Sequence, residues 1–111
     1  MLAEQGIQLK LRYRMIVKVH KTQDGRKIVA ICDNDLIGKK FEEKNLQLDL
    51  SADFYKGEEK SEEEIIELIK GSYMVNIVGK KSINLAVKLG IMDKKNIIKI
   101  KKIPHAQVIL K

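Results

Sequence analysis

Apolar and polar residues alternate with period two from Ile7 to Val19. Every odd position in this stretch is apolar, and every even position except Ile16 is polar. Such alternation predicts a half-buried β-strand. Its thirteen residues exceed the usual strand length of about 3 to 10 residues. We therefore expect a domain over residues 15–111, with residues 1–14 as an N-terminal extension that continues an edge strand or contacts another chain.

The pattern over the next thirty residues predicts a hairpin, a helix and a third strand. Thr22–Gly25 contains Asp-Gly, which supplies the positive φ of a tight turn. The return strand, Arg26–Cys32, is apolar on both faces and is therefore expected to be buried on both. Asp33–Asp35 offers capping side chains for a short helix over Leu36–Lys44. Leucines then alternate with polar residues from Leu46 to Leu50, as in a strand.

A capping box predicts the next helix most clearly. After a loop over Ser51–Lys60, Ser61 is followed three residues later by Glu64, which can reach back to the cap. Ile65, Ile66 and Ile69 form the apolar stripe of this helix, and a glycine follows it. The next apolar run, Tyr73–Val78, is typical of a strand.

The remaining chain predicts a helix and two strands. Ser82 is expected to cap a helix that continues to Leu89. Asn96–Ile103 alternates isoleucine with lysine, and Pro104 is expected to interrupt the pairing before a closing strand at Ala106–Leu110. Together the elements predict an α+β domain with a five- or six-stranded, mixed or mostly antiparallel sheet and two or three short helices.

Composition restricts the class of protein. A chain of 111 residues has room for one ordinary core. Its apolar runs are shorter than the roughly 18 residues of a membrane span, and no signal peptide is evident, so no membrane partner is predicted. The single cysteine, Cys32, excludes an internal disulfide and fits the cytoplasm. Without tryptophan and with five Phe and Tyr residues, an aromatic-rich surface for single strands is not expected.

Charge is distributed unevenly along the chain. Residues 41–67 carry three lysines against ten acids, a net charge of −7. Residues 80–111 carry nine lysines against Asp93 alone, a net charge of +8. This asymmetry favours a surface with a basic side and an acidic side, although a lysine-rich protein kept soluble by its charges would look similar.

The turn Gly79–Ser82 is the candidate phosphate site. It departs from the phosphate-binding loop of nucleotide hydrolases, because Met74 replaces the first glycine and Lys81 separates Lys80 from Ser82. A glycine turn at a helix start still exposes backbone N–H groups, and its lysines add charge. The prediction is a contact with one phosphate of a nucleic acid; the alternative is an ordinary strand-to-helix connection.

Further lysines are expected to extend this site. Lys99, Lys101 and Lys102 lie on the predicted basic strand, and Lys39 and Lys40 could join them if the sheet brings the chain ends together. Arg26, Lys27, Lys94 and Lys95 are further candidates. Scattered lysines bind phosphates with little base specificity, which predicts an RNA partner. The alternative is a solvated polar face.

Catalytic and metal chemistry find less support in the sequence. Cys32, Asp33 and Asp35 are close in sequence, but no Cys-x-x-Cys or paired histidine accompanies them, so no metal site is predicted. His20 and His105 could each act as a base, yet no nucleophile stands in an evident relation to either. No catalytic residue and no cofactor is predicted.

Short blocks of sequence between Met15 and Leu110 resemble one protein family. In order they are MIVKVH at 15–20, CD at 32–33, DLIG at 35–38, FY at 54–55, GE at 57–58, NIVG at 76–79, Ser82 and PHAQ at 104–107. Their combination is similar to the small archaeal family called domain of unknown function 424 (DUF424). The resemblance implies a single cytosolic α+β domain with a link to RNA or translation, and it brings no catalytic residues.

The sequence is therefore compatible with three hypotheses about function. The first is an RNA-binding or translation-associated accessory protein that contacts phosphates through a basic face. The second is a protein-interaction module or homodimer that uses the strand in residues 1–14. The third is an enzyme acting on an anionic small molecule, which would require a histidine in a pocket near Gly79–Ser82.

Overall fold

The structure, a computed structural model, describes residues 14–110, and this range contains eight strands and two α-helices. In chain order they are β1 Arg14–Lys21, β2 Lys27–Asp33, β3 Lys40–Glu43, β4 Leu46–Asp49, β5 Glu58–Ser61, α1 Glu62–Ile69, β6 Met74–Val78, α2 Lys80–Lys88, β7 Ile98–Ile100 and β8 Ile103–Ile109. No helix in this range is long and apolar enough to cross a membrane.

Six strands form one mixed sheet in the order β5-β1-β2-β6-β8-β7. Only β2 and β6 pair in parallel, with Ala30 opposite Asn76, and the other neighbours are antiparallel. β3 and β4 pair separately as a two-stranded sheet. The predicted α+β fold, with five or six strands in a mixed or mostly antiparallel sheet and two or three short helices, is confirmed. The small second sheet was not predicted.

Both helices cover one face of the large sheet. α1 packs against β1 and β5, and α2 packs against β2, β6 and β8. Their buried isoleucines, among them Ile65, Ile69 and Ile83, meet alternate strand residues such as Met15 and Ile77. The predicted capping box at the start of α1 is confirmed, with Ser61 and Glu64 bonded in both directions.

The small sheet covers part of the opposite face. Leu48 and Leu50 pack there with Cys32, Val78 and Ile100 in a second buried cluster. β3 and β4 also contact β7. The segment that follows β2 therefore folds back beneath the carboxyl end of that strand.

Two predictions about this segment and the last hairpin are wrong. The predicted helix Leu36–Lys44 is a 3-10 turn that ends at Leu36, followed by β3. Gly38 stops the helix with φ of +87°, and Phe41 instead pairs with Leu48. The predicted strand Asn96–Ile103 is divided by a turn at Lys101 and Lys102, both with positive φ.

Two further predictions, an interruption of strand pairing at Pro104 and a loop over Ser51–Lys60, differ from the structure. Pro104 lies inside β8 without ending it, and its carbonyl accepts a hydrogen bond of 2.9 Å from the N–H of Gly79. The loop contributes β5, whose residues pair with the first half of β1. The predicted extension lies outside the described residues apart from Arg14, which begins β1.

Candidate nucleic-acid interface

Gly79 forms the turn between β6 and α2. Its φ is +103°, a conformation that other residues rarely adopt. A Cβ at this position would lie 2.2 Å from Cγ of the Asp33 side chain. Glycine is therefore required here both by the backbone conformation and by the close approach of a carboxylate.

Asp33, the last residue of β2, caps the start of α2. Its Oδ2 accepts from the N–H of Lys81 at 3.0 Å, and its Oδ1 accepts from the N–H and hydroxyl of Ser82 at 2.9 and 2.7 Å. Ser82 was predicted to be the cap, which is wrong: it is buried in the first turn of the helix, and the cap position is Gly79. A carboxylate from a neighbouring strand replaces the expected hydroxyl.

This cap changes how the turn could hold a phosphate. The N–H groups of Lys81 and Ser82 are already bonded to Asp33. A phosphate at this turn would therefore depend mainly on lysine side chains, of which Lys80 is exposed. The phosphate role of Gly79–Ser82 stays a prediction.

Charge is separated between the two outer strands of the large sheet. We call residues 80–102, which run from α2 through β7 to the last turn, the basic edge; they contain eight lysines and one acid, Asp93. We call residues 58–69, which form β5 and α1, the acidic edge; they contain six glutamates and one lysine, Lys60. Five strand spacings separate β5 from β7, roughly 24 Å. The helices of the two edges meet between these strands, where Lys88 of α2 pairs with Glu62 of α1 at 3.5 Å.

The predicted site residues divide between this edge and its surroundings. Lys80, Lys81, Lys99, Lys101 and Lys102 all belong to the basic edge. Lys39 and Lys40 lie at the start of the small sheet, which contacts β7 from the opposite face. This sheet also brings a carboxylate close, since Oε1 of Glu43 accepts from the N–H of Lys101 at 2.8 Å.

Arg26 and Lys27 do not join the basic edge. Lys27 begins β2 and Arg26 precedes it, whereas Asp33 and the turn at Gly79 lie at the other end of this strand, about 20 Å away. Both side chains interact with residues at their own end of the sheet. Arg26 lies 4.5 Å from the ring centroid of Tyr73, and Nζ of Lys27 donates to the carbonyl of Lys70.

Several lysines of the candidate site have no carboxylate partner. Within residues 14–110, no ion pair is formed by Lys39, Lys40, Lys80, Lys99, Lys101 or Lys102. Elsewhere on the basic edge, Lys88 pairs with Glu62 at 3.5 Å and Lys95 approaches Asp93 at 4.0 Å. The six unpaired ammonium groups are those that an external anion would meet.

A cleft between α2 and β7 lies within the basic edge. It measures about 450 Å³ and is lined by Ile83, Asn84, Val87, Lys94, Ile97 and Lys99. It exists because α2 packs on β2, β6 and β8, which leaves this side of the outermost strand open. Sequence reasoning missed Asn84 and Ile97, since neither the helical pattern nor the lysine run shows the space between the two elements.

His105 lies beside the Gly79 turn in the sheet, opposite Val78, but neither it nor His20 lines the cleft at that turn. The cleft beside that turn, about 280 Å³, is lined by Asp33, Asp35, Leu36, Gly79, Lys80, Lys81, Ile103 and Pro104, without a histidine. His105 lies on the sheet face away from α2, its Nδ1 is buried without a partner, and burial lowers its pKa. His20 stacks on Phe54 at 4.3 Å between ring centroids, and its Nε2 lies 2.9 Å from the Phe54 carbonyl.

Cys32 and its acidic neighbours point in different directions. Cys32 is buried in the second core, where desolvation raises the pKa of its thiol to about 12. Asp33 is occupied by the start of α2. Among the described residues, no three His, Cys, Asp or Glu side chains come together in a group that could hold a metal ion.

One family model matches most of this chain, and one solved structure has a similar fold. Residues 20–110 match the family described as "Protein of unknown function (DUF424)". The chain belongs to the DUF424 family. No curated protein matches it. A crystal structure of an uncharacterized conserved protein from Methanopyrus kandleri is similar to this DUF424 chain at 24% identity and a TM-score of 0.72, covering 88% of this chain and 94% of that one. That similarity supports the fold alone.

Proposed function

We propose that this DUF424 protein binds RNA through backbone phosphates along the basic edge. The observation that carries the proposal is the uneven distribution of charge: eight lysines with one acid lie between the start of α2 and the turn after β7, whereas six glutamates with one lysine lie in β5 and α1. Such a field attracts a polyanion to one side of the molecule and repels it from the other. Phosphate contacts of this kind supply affinity without reading sequence.

The two helices support the proposal by a contrast in their first turns. α1 begins with three glutamates, which complement the positive end of the helix dipole. α2 begins with Lys80 and Lys81, whose charge is unfavourable at the positive end of a helix dipole, and Asp33 accepts hydrogen bonds from the N–H groups of this first turn. Helix stability therefore explains the glutamates of α1 but not the lysines of α2, whereas recognition of an external anion explains them.

A salt titration tests the proposal. Binding of a fluorescently labelled RNA should weaken steeply between about 50 and 200 mM salt, because released counterions drive phosphate binding. Lys94→Glu and Lys99→Glu should each weaken binding and reduce the slope of log K against log salt by about 0.7 per lost contact.

Lys21→Glu is the matched control. It makes the same change of charge at an exposed lysine of β1, at the end of the sheet away from the Gly79 turn. It should bind RNA nearly as well as the wild type. Equal weakening by all three substitutions would show attraction to net charge alone, and absence of RNA binding at low salt would refute the proposal.

The two other hypotheses stay predictions. The interaction module or homodimer depends on residues 1–14, of which the structure describes only Arg14. The enzyme hypothesis required a histidine in the cleft beside Gly79–Ser82, and no histidine lines that cleft. A cytoplasmic location and a role in translation likewise stay predictions.

A further inference from the structure

We infer that the cleft between α2 and β7 receives one unpaired base of the RNA, so that the preferred ligand is single-stranded rather than duplex. This inference rests on the proposed function. It is carried by the position of the cleft: three aliphatic side chains line a space that Lys94 and Lys99 of the basic edge also line, so the groups that would hold the phosphates lie beside it.

The walls of the cleft suit a flat, partly apolar ring. Ile83 is buried at its floor, and Val87 and Ile97 are half-buried on either side. Its volume of about 450 Å³ lies within the range of roughly 300 to 1,000 Å³ that is usual for sites of small organic groups. A bare phosphate would gain nothing from these aliphatic walls, whereas a base would be removed from water.

Asn84 places one amide at the same cleft. It is exposed on α2, one turn after Lys80 and one turn before Lys88, so the three form a single stripe on the helix. An amide both donates and accepts, as the edge of a nucleobase does. Lys94 and Lys99 line the opposite wall, where their ammonium groups can hold the phosphates on either side of the base.

A duplex cannot use this cleft without opening. Sequence-specific proteins reach RNA bases mainly in loops and single strands, because paired bases are stacked and their edges are occupied. A duplex would still contact the lysines through its phosphates. The difference in affinity between the single strand and the duplex therefore measures the contribution of the cleft. The affinity that both ligands share measures the contribution of the basic edge.

The experiment compares a labelled single-stranded RNA of mixed sequence with a fully paired hairpin of the same composition. Asn84→Ala should weaken binding of the single strand about fivefold to tenfold, the scale of one lost hydrogen bond. Hairpin binding and the salt slope should not change, because no phosphate contact is lost. Val87→Phe, which fills the cleft, should act in the same way.

Controls separate this inference from the proposed function. Gln23→Ala removes an exposed amide at the β1–β2 turn and should change nothing. Urea unfolding checks that Val87→Phe folds, and Asn84→Ala changes only an exposed helical side chain. If both cleft variants bind the single strand like the wild type while Lys94→Glu weakens it, the base pocket is refuted and phosphate binding stands.

Two further outcomes also overturn the inference. If the hairpin binds as tightly as the single strand, the cleft receives no base. If poly-glutamate of equal charge competes as well as the RNA, the lysines bind any polyanion and the aliphatic walls are not used. Failure of the wild type to bind either RNA at low salt would refute the proposed function together with the inference.

Discussion

The carboxylate of Asp33 accepts a hydrogen bond of 2.9 Å from the backbone N–H of Ser82 and one of 2.7 Å from its hydroxyl. The two residues are 49 positions apart in the chain, and both are buried. The contact joins the end of a central strand to the first turn of α2. It therefore orients the helix that carries Lys80, Asn84 and Lys88.

Removal of this carboxylate should destabilise the fold. Asp33→Ala leaves the N–H groups of Lys81 and Ser82 and the Ser82 hydroxyl without their acceptor, and an unsatisfied buried donor costs about 1 to 3 kcal/mol. Urea unfolding measures the change in the free energy of unfolding. Asp35→Ala, which removes an exposed carboxylate two residues away, is the control. Equal stability of the two variants would contradict the capping role.

Gly79→Ala should be more destabilising than Gly90→Ala. Both glycines have positive φ, +103° and +75°, so both substitutions carry backbone strain of about 1 kcal/mol or more. Only at position 79 would the new Cβ meet other atoms, those of the Asp33 carboxylate, whereas none lies within 4 Å at position 90. Thermal or urea unfolding of both variants isolates the steric contribution to the loss of stability. A similar loss in the free energy of unfolding for both would mean that Asp33 moves aside without cost.

Local chemistry explains which parts of this fold the sequence predicts. The capping box of α1 joins Ser61 to Glu64, which are three residues apart, so both partners of the interaction can be recognised in a short stretch of sequence. The cap of α2 comes from another strand, and the pattern around Ser82 suggested a hydroxyl cap instead. The helix predicted over Leu36–Lys44 failed for a related reason, since pairing of Phe41 with Leu48 replaced a weak helical signal.

Part of the candidate site could likewise be predicted from the sequence, and part could not. The lysines of residues 80–102 gather at one edge because they are contiguous in the chain and fold into neighbouring elements, so a count along the sequence predicted their excess charge. Arg26 and Lys27 could not be placed by such a count, because their position depends on the direction in which β2 runs. The cleft beside Asn84 depends on the gap between α2 and β7, which requires tertiary structure.

His105 should make stability depend on pH below neutrality. Burial lowers its pKa from the ordinary value of 6.5, so between the two pKa values the unfolded chain binds more protons than the folded one. Stability is therefore full above about pH 6.5 and is lost as the pH falls through the folded pKa. Urea midpoints at several values between about pH 7.5 and 5 should fall less for His105→Asn than for the wild type. Parallel profiles would contradict this assignment.

Lys80→Gln should separate RNA binding from stability. Lys80 is exposed and forms no ion pair within the described residues. Repulsion by the positive end of α2 and attraction to Asp33 oppose each other there, so the free energy of unfolding should change by no more than about 0.5 kcal/mol. If the basic edge binds phosphates, affinity for RNA should fall severalfold at low salt, with a shallower salt dependence. Lys21→Gln, the same change on β1, should leave both quantities unchanged, and equal affinity of the two variants would remove Lys80 from the interface.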